Sequence, residues 1–173
     1  TYTGDGNRDI YFSGKSITVR SINGSEDCII DCQSTPLERH RGFVFSSGED
    51  FSSILDGVTI KNGRGLPVSF ELDGFLFTWH LGSAIHCQGS SPTIRNCILT
   101  DNVDEDPESD GTISCFDGAN PWIENCVIVN NSCEWAAGVT CLTDSNPTII
   151  NCQMKDNIST IGGVSCYTNS SPI

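Results

Sequence analysis

The chain has 173 residues, with 22 acidic against 9 basic side chains and a formal charge of −13. That length suits one domain with a buried core. The acidity excludes the clustered Lys and Arg that nucleic-acid binding needs, and no run of 18 apolar residues reads as a membrane-spanning helix. Gly, Ser, Asn, Thr and Asp are abundant while Met and Lys are scarce, which predicts strands joined by turns rather than helices.

From the N-terminus, the β-rich runs are Thr1-Tyr2-Thr3-Gly4, Ile17-Thr18-Val19-Arg20, Cys28-Ile29-Ile30-Asp31-Cys32, Gly42-Phe43-Val44-Phe45 and Leu55-Asp56-Gly57-Val58-Thr59-Ile60. Ile17-Thr18-Val19 lies 26 residues before Phe43-Val44-Phe45 and is aligned with it. Residues 62–82 break the pattern. There Asp73-Gly74 between two β-rich runs predicts a hairpin with a type I′ turn, and Phe70, Leu72, Phe75, Leu76, Phe77 and Trp79 give it a large apolar load. Such an insert serves either as a lid over the body or as a partner surface.

Beyond the insert, repeats dominate. Cys87, Cys115, Cys141 and Cys166 form one column, and Cys97, Cys126 and Cys152 a second. Pro92, Pro121, Pro147 and Pro172 form a third, and Asn96, Asn125 and Asn151 a fourth, with steps of 25 to 29 residues. Asp31-Cys32 and Asp56-Gly57 are placed in the Asn-Cys column of the first half. No unit has room for a long helix, and in Ala84-Ile85-His86-Cys87 or Thr112-Ile113-Ser114-Cys115 apolar and polar residues alternate as in a half-buried strand. Short strands at this period predict coils of three strands, each stacked parallel on the next by about 4.8 Å. The cysteine columns then fill the core, and the Asn96, Asn125, Asn151 column becomes an internal hydrogen-bonding ladder.

The Ser-Pro-Thr-Ile-x-Asn-Cys unit (Ser91 to Cys97), with the runs quoted above, resembles the right-handed parallel β-helix repeat proteins of the pectate-lyase-like superfamily. The resemblance implies an all-β, right-handed parallel β-helix of about six coils of three strands, forming one domain over residues 1–173 with the 62–82 hairpin protruding. That superfamily holds lyases, hydrolases, adhesins and surface proteins, so it implies no single activity. Both ends lack the caps that solenoids carry. This fits either a portion of a longer chain or a subunit whose ends stack head to tail into filaments.

Ten cysteines exceed cytosolic habit, and the chain lacks the Cys-x-x-Cys spacing of zinc sites. Disulfides across or between coils and a ladder of buried thiols both fit the columns. Cys133, outside them, is the expected reactive thiol. The run Asp101 to Gly111 is acidic, and read from Asp106 the spacing of Asp106, Glu108, Asp110, Ile113 and Asp117 mimics an EF-hand loop. Calcium is the candidate cofactor, against a solvated acidic turn. Phe70, Leu72, Phe75, Phe77 and Trp79 are the candidate assembly surface, and Trp79, Trp122 and Trp135 are candidates for stacking on sugars.

The outward column of the best-defined sheet reads Val44, His86, Ser114, Thr140 and Ser165, which offers neither a carboxylate pair nor a basic cluster for catalysis. His40, His80 and His86 read as surface residues. Sequons at Asn23, Asn130, Asn157 and Asn169 permit glycosylation. The expectation is a non-enzymatic, extracellular or cell-surface structural or adhesive protein that self-associates, with polysaccharide as a possible partner and no nucleic acid or membrane insertion. The alternatives are a polysaccharide-acting lyase or hydrolase with an incomplete site, or a carbohydrate-binding module.

Overall fold

The computed structural model describes residues 1–72 and 74–173, with only the backbone of Leu72. Three parallel sheets wind around one core. The first contains Ile10–Tyr11, Phe43–Phe45, Ile85–Gln88, Ile113–Phe116, Ala136–Cys141 and Gly162–Cys166. The second contains Thr18–Arg20, Ile54–Asp56, Thr93–Arg95, Trp122–Glu124 and Thr148–Ile150. The third contains Ile29–Asp31, Thr59–Lys61, Ile98–Thr100, Val127–Val129 and Gln153–Lys155. One sheet thus has six strands and the others five each, so complete coils number about five rather than six.

Three-residue strands suffice because each sends only its central residue inward. Leu55, Ile94 and Ile123 stack in this way, as do Ile60, Leu99 and Ile128, all fully buried. The corners between second and third sheets are made by Gly57, Asn96, Asn125 and Asn151, all at positive φ. The following corners use Asn62, Asp101, Asn130 and Asp156 in the same region. Asn and Asp enter the left-handed region at less cost than other side-chain-bearing residues, which explains their abundance here. Gly138 is required for a different reason: a Cβ there would lie 2.0 Å from the Gly163 carbonyl oxygen, beside the bulge where Ala136–Cys141 meets Gly162–Cys166.

The Cys87, Cys115, Cys141, Cys166 column is in strict register across the first sheet. All ten cysteines stand as free thiols. The column of Cys97, Cys126 and Cys152 is headed by Cys28 and Val58, not by Cys32, because Val58, Cys97 and Cys126 each offer their carbonyl to the next coil as Cys28 does to Thr59. Asp31 pairs with Lys61 in the third sheet, and Thr18–Arg20 pairs with Ile54–Asp56 rather than aligning with Phe43–Phe45. Both early alignments are therefore corrected by one sheet. Asp56 aligns with Arg95, which leaves Gly57 as the counterpart of Asn96.

The asparagine ladder is also reassigned. Asn96, Asn125 and Asn151 are exposed corner residues. The internal ladder is Asn102, Asn131 and Asn157, six residues further on. Asn102 and Asn131 each donate their side-chain amide to the next Oδ1 at 3.0 Å, and all three donate to a main-chain carbonyl, of Ile60, Leu99 and Ile128 respectively. A second ladder runs through Asn120 and Asn146, whose Oδ1 atoms accept the N–H of Asn146 and Ser171 respectively.

Candidate functional site

The insert is an antiparallel hairpin, Leu66–Leu72 with Phe75–Leu81, and Ser109–Asp110 adds a short parallel strand to its edge. Asp73 of the expected type I′ turn, and the side chain of Leu72, lie outside the described residues. The hairpin divides its apolar load. Val68, Phe70 and Trp79 pack on Leu81, Phe116, Leu142 and Tyr167, with Phe70 to Phe116 ring centroids 5.6 Å apart and Trp79 stacked on Trp135 at 6.4 Å. Phe75, Leu76 and Phe77 stay exposed, at 70%, 77% and 37%.

Covering by the hairpin changes the outward column of the first sheet. Val44, His86, Ser114, Thr140 and Ser165 do share one face in register, yet all are buried. His86 is therefore not a surface residue. Its Nδ1 lies 2.6 Å from Ser114 Oγ, and burial, then the Arg41 charge, lowers its pKa to about 3. The imidazole is neutral at ordinary pH. Ser114 is fully covered, so no substrate reaches its hydroxyl in this conformation. Further along, Asp110 accepts hydrogen bonds from Thr140 Oγ1 at 2.5 Å, from the Ala136 N–H at 2.9 Å and from Ser165. Burial pushes Asp110 up to about 6 despite these donors.

The acidic run folds inward onto arginines. Buried Asp104 accepts from Arg39 Nη1 at 2.8 Å and from the Gly65 N–H at 3.0 Å, with Arg64 at 3.8 Å. Asp106 accepts from Arg39 Nη2 at 2.5 Å, and His80 Nδ1 lies 3.4 Å away without hydrogen-bond geometry. The run thereby clamps the hairpin root, since Gly65 immediately precedes Leu66–Leu72. The EF-hand-like set is dispersed: Glu108 and Asp117 are exposed, Asp110 is turned to Thr140, and Ile113 is a core residue. Among the described residues, no three His, Cys, Asp or Glu side chains gather as a metal would need. A spacing in sequence becomes a coordination sphere only if the loop curls around the ion, and here Asp106 is turned to Arg39 and Asp110 to Thr140.

Cys133 is buried, hydrogen-bonded to the Ala136 carbonyl and pushed up to about 12 by burial and then by Asp110. It is therefore not the reactive thiol, and Cys166 is the exposed one. Trp122 sits on the second sheet, away from the stacked Trp79–Trp135 pair. Asn157 belongs to the ladder, whereas Asn23, Asn130 and Asn169 are exposed.

One cleft, of about 300 Å³, opens where the hairpin root meets the first sheet, between Leu66–Val68 and Tyr11, Arg41, Val44, Ser46, His86 and Gln88. Arg41 is only 2% exposed and its Nε–H has no hydrogen-bond partner. Nothing in the repeat pattern marks Arg41. It closes the run Arg39-His40-Arg41, and only its burial sets it apart.

The family profile described as right-handed β-helix region matches residues 7–173. The chain belongs to the right-handed β-helix family. No curated protein and no solved structure matches it. For this right-handed β-helix the family match supports the winding itself.

Proposed function

We propose that this right-handed β-helix is a non-enzymatic structural or adhesive protein of the cell surface or extracellular space, and that it contacts further copies of itself through the hairpin tip. The supporting observation is the division of the hairpin. Its root is locked down by Val68, Phe70, Trp79 and the Asp104 clamp, while Phe75, Leu76 and Phe77 are held out in solvent. An apolar cluster presented on an anchored arm favours burial against a partner. The sheet that would carry a groove is covered by the same arm, and its outward hydroxyls are spent on one another and on Asp110. This supports scaffold over catalyst.

Sedimentation velocity of the native chain across a concentration series tests the reading. Concentration-dependent association that Phe75→Asp with Phe77→Asp weakens at least tenfold supports it. Monomers at all concentrations, or association unchanged by the double variant, would overturn the tip as interface. Depolymerisation of an acidic polysaccharide by the purified chain would instead favour the enzyme reading.

A further inference from the structure

We propose that the cleft between the hairpin root and the first sheet binds a small aliphatic monocarboxylate, held by the Arg41 guanidinium. A buried guanidinium without a direct ion pair is costly, because its solvation is lost and more distant charges, here Asp9 and Asp104, replace it only in part. Arg41 is in that position. It is 2% exposed, its Nε–H has no acceptor, and none of the ion pairs among the described residues includes it. The other arginines at the hairpin root, Arg39 and Arg64, both face Asp104. Arg41 is bonded to Asp9 through its main chain, its N–H donating to Oδ1 at 2.9 Å and its carbonyl accepting the Asp9 N–H at 2.7 Å, while the other Asp9 oxygen lies 2.6 Å from His40 Nδ1.

The cleft beside Arg41 selects the ligand class by charge and by wall. It offers a single positive charge, since the other basic lining residue, His86, is neutral. A monoanion balances that charge and a dianion does not. The two terminal Nη–H groups of a guanidinium match the two oxygens of a carboxylate. Val44, from the first sheet, and Leu66, Pro67 and Val68, from the hairpin, supply an apolar part of the cleft lining. The volume of about 300 Å³ admits a short hydrocarbon body. The site is independent of the hairpin tip, so it stands or falls apart from self-association.

Isothermal titration of the full chain with sodium butyrate tests this, alongside inorganic phosphate, glucuronate and methylammonium. Butyrate is expected to bind best and to shift the His86 ring resonances. Arg41→Met, which keeps the apolar stem, should weaken butyrate at least tenfold. Ser46→Trp, placing bulk at the exposed lip while leaving Arg41 intact, should do the same and decides the matter if Arg41→Met fails to fold. Trp122→Ala, on another sheet, should change nothing. No butyrate binding, equal binding by folded Arg41→Met, or unaltered binding by Ser46→Trp would overturn the site. Tighter binding of phosphate would overturn the monoanion assignment, and tighter binding of glucuronate the apolar body.

Discussion

Asn131 Oδ1 accepts two hydrogen bonds from Asn102, one from the main-chain N–H and one from the side-chain amide, each at 3.0 Å. Asn131 in turn donates to Leu99 and to Asn157 Oδ1, so one buried amide joins three coils. Asn131→Ala removes one side of each bond and leaves buried donors and an acceptor unsatisfied, at about 1–3 kcal/mol apiece. The expected loss is about 3 kcal/mol or more in urea unfolding. Asn125→Gly at the exposed corner should cost less than about 1 kcal/mol, because glycine adopts the same positive φ. Equal losses at the two positions would refute the internal assignment of the Asn102 ladder.

Asp110 gives the fold a pH dependence of definite sign. Its folded pKa of about 6 lies above the ordinary value for aspartate, so the native state holds the proton more tightly than the unfolded one. Its ionisation therefore removes stability as pH rises from about 4 to about 6, by an amount on the order of 3 kcal/mol. The difference in unfolding free energy between native protein and Asp110→Asn should move through that window and stay level outside it. Glu49 acts oppositely and at lower pH. N–H donors from Gly14 and Ser47, with the Ser90 hydroxyl, outweigh its burial and hold it below the usual range, so its contribution is lost on acidification.

Thiol accessibility separates the cysteines by place in the coil. Under native conditions Cys166 should react with a disulfide reagent at least a hundredfold faster than Cys133 or Cys32, both buried and held at about 12. Mass spectrometry of the labelled protein assigns the first site. Rapid labelling of Cys133 would contradict its burial.

Asp104→Asn should loosen the hairpin root. Breaking a buried ion pair on one side costs about 3–5 kcal/mol when the remaining charge stays buried, and Arg39 and Arg64 both depend on this carboxylate. Amide exchange over residues 66–81 should accelerate by more than tenfold, with the cores of the second and third sheets little changed.

The period was legible because Cys97, Cys126 and Cys152 occupy the same inward position in three coils, where volume is tightly constrained. The same period hid the direction of the asparagines. Asn96, Asn125, Asn151 and Asn102, Asn131, Asn157 advance by identical steps, and spacing alone does not separate a residue that turns the chain from one that faces inward. In the first half, Phe45 and Val58 stand where later coils have cysteines, so alignment on residue type slipped by a sheet at Ile17 and Asp31. The outward column of His86, Ser114, Thr140 and Ser165 was readable in register but not in burial. What covers it is a non-repeating insert held down by contacts distant in sequence, Phe70 and Trp79 on Phe116, Trp135 and Tyr167 and Asp104 on Gly65.

The hydrogen bonds of the three main sheets lie along the solenoid axis, coil upon coil. Tension applied along that axis loads the coils in series rather than shearing them together. The chain then lengthens by peeling one turn at a time, each releasing roughly 26 residues or about 90 Å of contour. A fibre of such units would yield gradually under strain and rewind from any turn still closed.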